Sequence, residues 1–119
     1  MGLDMWIEKR YKEPVAEWRK ANAVHRWFEK YSDEGSLENC EQMRVTKQML
    51  EELLATCKKV KEDHSVAEKL LPTMDGFFFG DTKYGQSYFH DIDTTIEQIT
   101  RLLEETDFSR EELYYSAWW

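Results

Sequence analysis

Trp18, Asn22, His25 and Glu29 recur at i, i+4, i+7 and i+11, with Arg19 and Arg26 alongside, so a single helix would gather them on one stripe. Such a stripe supplies an aromatic plane for stacking, an amide for paired hydrogen bonds, and imidazole and guanidinium groups that neutralise an anion. Those are the contacts a nucleotide-like ligand requires. The same spacing also fits a solvated helix face on which Trp18 packs under a loop and Arg26 pairs with Glu29.

A second constellation runs from Leu71 to Tyr84, where Gly76 and Gly80 bracket Phe77, Phe78 and Phe79. Gly80 can let the backbone approach a ligand, Thr82 and Tyr84 offer hydroxyls, and Lys83 offers a cation. Neither GxxxxGK[ST] nor GxGxxG is present, so this is no phosphate loop of known type. Its other reading is a turn whose phenylalanines fill the core.

Catalytic and metal chemistry find less support. Nothing in the sequence holds a nucleophile against a base, and Asp91 and Asp93, at i and i+2 on a helix, point apart. Cys57 falls on the apolar side of its helix, where a thiol is inert. Cys40 and Cys57 are too few for a disulfide scaffold and too far apart for CxxC, so both are expected as reduced thiols. His25, His64 and His90 lie 39 and 26 residues apart and form no zinc-binding pair. We therefore expect a binding protein rather than an enzyme, with no cofactor and no metal.

Charge narrows the partner classes. The formal net charge is −8, against the basic footprint of a phosphate-backbone binder, so direct nucleic-acid binding is disfavoured. Residues 1–31 carry seven Lys or Arg against five acids, leaving nine against 19 for residues 32–119. The first part is thus +2 and the rest −10, which leaves room for a local anion site on a repulsive surface. No apolar run approaches the roughly 18 residues of a membrane span, and the first residues read as neither a secretory signal nor a myristoylation site. A cytoplasmic setting is expected.

The elements that must position these residues follow from periodicity. At 119 residues with 41% hydrophobic and 14% aromatic content, the chain suits a single domain over 1–119. Near-alternation over 3–11 predicts a strand, and Pro14 suits the first turn of a helix running to Tyr31, with Ala16, Ala23, Val24, Trp27, Phe28 and Tyr31 facing the core. A short strand is expected over Glu41–Val45, then a helix capped by Thr46 that buries Met49, Leu50, Leu53, Leu54, Cys57 and Val60. Ser65 can cap a short helix through Leu71, which Pro72 stops. Phe89, Ile92, Ile96, Ile99 and Leu103 mark a third long helix to about Thr106, and Leu113–Trp119 suits a last strand beside the first. Together these give an α+β fold: three long helices and one short helix packed on a small antiparallel sheet.

Several stretches resemble a family of small uncharacterised proteins of phages and prophages: Met1–Met5, Trp18–Phe28, Leu70–Thr73 with Gly76–Gly80, and the Tyr-Tyr-Ser-Ala-Trp ending. The resemblance covers nearly the whole chain and implies a viral accessory role, such as counter-defence, in the cytoplasm of an infected bacterium. With the residues above, it leads to the expectation of a small anionic, nucleotide-like ligand bound and sequestered by Trp18, Arg19, Asn22, His25, Gly80, Thr82 and Tyr84. The alternative is an acidic inhibitor that mimics nucleic acid toward a host defence protein such as a CRISPR effector or nuclease, using the −10 balance after residue 31. A third is a virion or replication accessory without a ligand. Trp118 and Trp119, if exposed, suggest a terminus covered by a second subunit; the other outcome is intramolecular packing.

Overall fold

The computed structural model describes residues 2–9, 13–75 and 80–119, and shows an α+β fold. Four strands form one antiparallel sheet in the order β2-β1-β4-β3, from β1 (Asp4–Lys9), β2 (Pro14–Arg19), β3 (Met43–Val45) and β4 (Leu113–Trp118). The first and last strands are neighbours, as expected, paired from Asp4↔Trp118 to Lys9↔Leu113. Alternation along β1 and β2 turns Met5, Ile7, Ala16 and Trp18 toward the core and leaves Asp4, Trp6, Glu17 and Arg19 on the outward face.

The first helix is shorter than its periodicity predicts. Residues 14–19 form β2, and α1 spans only Asn22–Glu29. Pro14 sits at the first residue of that strand, where its missing donor costs nothing, opposite a register shift after Ile7. Lys20 then takes a left-handed φ of 56° and turns the chain into α1, its N–H donating to the Leu3 carbonyl at 2.6 Å. Tertiary pairing with β1 has overridden an apolar spacing that both structures satisfy. Trp18 therefore shares no helix face with Asn22 and His25. Ala16, Ala23, Val24, Trp27 and Phe28 are buried as read, whereas Tyr31 is 36% exposed beyond the end of α1 and bonds Glu52 through its hydroxyl.

Thr46 caps α2 (Lys47–Glu62) by accepting the Met49 N–H at 3.2 Å, and Leu50, Leu53, Cys57 and Val60 are fully buried. Burial pushes the Cys57 thiol up to about 12, so it stays protonated. Asp63, rather than Ser65, caps the next turn by accepting the Ser65 N–H at 3.0 Å; a 3-10 turn (His64–Val66) and α3 (Ala67–Leu70) follow. The long α4 (Gln86–Glu105) buries Tyr88, Ile92, Thr95, Ile99 and Leu102. Of the expected face, Ile92 and Ile99 are buried, while Phe89, Ile96 and Leu103 are only half-buried against the core. The buried face is offset from the expected one by a fraction of a residue step, and on it the Tyr88 hydroxyl donates to the Leu71 carbonyl at 2.7 Å and Thr95 accepts the Trp18 indole N–H. Gly76–Phe79, on which the reading of the aromatic turn depends, lie outside the described residues.

Candidate functional site

The residues singled out from the sequence separate into three groups. Trp18 and His25 are core residues. The Trp18 indole N–H donates to Thr95 Oγ1 at 2.8 Å, and its ring meets Phe28 edge-on at 6.2 Å. His25 is fully buried, with Nδ1 2.6 Å from the Tyr115 hydroxyl and Nε2 3.3 Å from Glu29 Oε1. A neutral ring carrying its proton on Nε2 suits both contacts. Burial holds this imidazole down at about 4 and pushes the Glu29 carboxyl up, the latter opposed by the Leu37 N–H that donates to Glu29 Oε2 at 2.6 Å. Trp119 packs edge-on against the same imidazole at 5.4 Å, so this terminal ring is packed within the chain; Trp118 is 50% exposed. The stripe read as a ligand surface thus faces inward at His25 and Glu29.

Asn22, Thr82 and Tyr84 form a scaffold. The Asn22 amide donates to the Asp81 carbonyl and accepts the Met74 N–H, both at 2.9 Å, clamping two ends of the loop onto α1. Thr73 donates its hydroxyl to the Thr82 carbonyl at 2.9 Å and its N–H to the Tyr84 hydroxyl at 3.1 Å, while Arg26 holds the Thr73 carbonyl at 2.8 Å. These polar residues fix backbone that has no strand or helix to satisfy it.

Arg19 and Gly80 border a cleft, together with Asn22. Its volume is about 540 Å³, within the range of small-molecule sites. Gly80 has a φ of 88°, and a Cβ there would stand 3.1 Å from the Lys20 Cβ, so any side chain at this position would be strained. Arg19 occupies an outward strand position, and its guanidinium lies 3.6 Å from Asp4 on the sheet face. The cation beside the cleft is Lys20, which forms no ion pair among the described residues. The first turns of α1 and α4 both line the cleft. Their N-cap residues, Ala21 and Gly85, carry no side-chain acceptor, and neither first turn contains an acid. The positive ends of two helix dipoles, neither capped by a side chain, therefore meet there.

Sequence reasoning missed Lys20, Ser87, His90 and Asp91, all of which line this cleft. Gly85 before a periodic run was the one available signal, since it marks a helix start without a side-chain cap. Asp91 is half-buried, its carboxyl pushed up to about 6 by burial against the opposing influence of His90. Asp81 is occupied locally, one carboxylate oxygen accepting the Lys83 N–H at 2.6 Å. Among the described residues, no group of three or more His, Cys, Asp or Glu is placed to hold a metal ion, and no helix is long and apolar enough to cross a membrane. The chain matches no protein-family model, and no curated protein or solved structure matches it.

Proposed function

We propose that the protein binds a small anionic, nucleotide-like ligand in this cleft and acts by sequestering it, the counter-defence role that the resemblance to phage accessory proteins implies. The observation that carries the reading is the convergence of two uncapped helix N-termini on one cleft beside Lys20. Backbone N–H groups and aligned dipoles stabilise a phosphate without a dedicated loop motif. The chain's overall charge of −8 then serves selectivity, because it repels polyanions while a recessed site admits a small one.

Isothermal titration calorimetry with inorganic pyrophosphate and with nucleoside monophosphates tests this. The expected result is saturable binding at one site per chain, weakened by added salt and reduced at least about tenfold in Lys20→Glu, the usual worth of a charged hydrogen bond. Absence of saturable binding up to millimolar ligand overturns it.

A second reading draws on the outward sheet face. There the half-exposed Trp118 lies near Trp6, Asp4 and Glu17, a surface suited to an acidic inhibitor docking on a host defence protein. Its distinguishing result is loss of activity on Trp118→Ala with ligand binding intact.

A further inference from the structure

We propose that the outward face of the sheet takes arginine side chains of a basic protein partner, which stack on Trp6 and Trp118 and pair with the carboxylates of Glu17 and Asp4. The inference rests on the second reading above, in which this face docks on another protein, and adds the chemistry of that protein's surface.

The register sets each indole beside an acid. Trp6 in β1 stands opposite Glu17 in β2, and Trp118 in β4 stands opposite Asp4 in β1, so two pairs of ring and carboxylate adjoin on one face. A hollow of about 400 Å³ is lined there by Asp4, Met5, Trp6, Glu17, Trp18 and Arg19. Ser116 lies opposite Trp6 on the same face, between Tyr114 and Trp118 along β4, yet it is buried and its hydroxyl has no hydrogen-bond partner among the described residues. A serine on the solvent side of a sheet is ordinarily wet. Its burial shows that the side chains around it form a closed platform, ordered before a partner arrives, which lowers the cost of docking.

The platform selects its partner by charge. Indole faces attract cations, and carboxylates beside the rings pair with them. The cation–ring contacts among the described residues are those of Lys30 with Trp27 and Tyr31, so no cation of the chain occupies Trp6 or Trp118. Glu17 makes no ion pair among the described residues, whereas Glu8, a third carboxylate on this face, already accepts a hydrogen bond from Gln42. Arg19 reaches Asp4 at 3.6 Å in a pair open to water, which an incoming guanidinium can replace. Arginine suits the site better than lysine, because its plane stacks on an indole while its N–H edge stays available to a carboxylate. A nucleic-acid strand could stack on the same rings, but Asp4 and Glu17 repel its phosphates. A second copy of the chain would bring a like charge of −8.

The test is an NMR titration of the full chain with an arginine nonapeptide, a lysine nonapeptide and oligothymidylate, read at the indole N–H signals and repeated on Trp118→Ala and Glu17→Gln. The Trp6 and Trp118 signals should shift and saturate with the arginine peptide, with the lysine peptide about fivefold weaker. Each variant should weaken the arginine peptide by at least about threefold, with its remaining spectrum unchanged because both side chains are exposed. Equal binding of the two peptides, shifts confined to the acidic stretch 33–41, or saturable binding of oligothymidylate at the indoles overturns the arginine assignment. So does sedimentation showing a dimer that Trp118→Ala dissociates, which would make the occupant a second copy. If the arginine peptide fails while Trp118→Ala still abolishes activity, the arginine assignment falls and the docking face stands; if Trp118→Ala keeps full activity, both fall.

Discussion

The Gln98 carboxamide makes to the backbone of Glu17 both hydrogen bonds that a neighbouring strand would make. The Glu17 N–H donates to Gln98 Oε1 at 2.8 Å, and Gln98 Nε2 donates to the Glu17 carbonyl at 2.8 Å. β2 is an edge of the sheet, and an open edge invites pairing with another chain. One side chain of α4 thus closes the edge and fastens the helix to the sheet that carries Lys20 at its end.

Gln98→Ala should destabilise the fold by about 1–2 kcal/mol, the worth of two solvent-accessible hydrogen bonds, and should increase light scattering on heating. Urea denaturation and scattering together check this. Unchanged stability and scattering would show that β2 is protected by something else.

Ile92 is fully buried and Ile96 is not, which separates the observed orientation of α4 from the one its apolar spacing suggests. Ile92→Ala should cost about 2–4 kcal/mol, and Ile96→Ala less than half as much. Chemical denaturation of the two variants decides between the orientations, and a larger loss for Ile96 would restore the face read from the sequence.

Periodicity was a good guide where burial follows from one element alone. The Thr46 cap and the apolar face of α2 were legible, as was the pairing of the first and last strands, since propensity and pattern agree there. It misled at residues 14–19. Ala16 and Trp18 alternate inward in a strand as readily as they join a helical stripe, and only the pairing with β1 decides. That error carried Trp18 into the expected site, and His25 entered it because a buried polar network such as Tyr115, His25 and Glu29 has the composition of a ligand surface. Lys20 and Asp91 were illegible because only the fold sets them along one cleft, from the end of a strand and from a helix.

His25 and Asp91, both shifted by burial, predict opposite pH effects. His25 is held down at about 4, so its native form stays neutral; its contribution to stability is present above the unfolded value of 6.5 and is lost as pH falls toward 4. NMR titration should show a neutral His25 imidazole down to that range. Asp91 is raised to about 6, so its contribution is present below the ordinary value of 3.8 and lost as pH rises through 6. Asp91→Asn should therefore raise stability around pH 8 by about 1–2 kcal/mol, after allowance for solvent screening at this half-exposed site. Near pH 4 the variant and the parent should converge. A variant less stable than the parent at pH 8 would mean that Asp91 holds the fold together.

The most direct test of the anion cleft is an amide NMR titration with inorganic pyrophosphate. The account predicts that the backbone N–H signals at the starts of both helices, Asn22 and Ala23 in α1 and Gln86 and Ser87 in α4, shift together and saturate at one ligand per chain, and that Lys20→Glu abolishes the response. Shifts confined to exposed lysines elsewhere, or to one helix without the other, would contradict it.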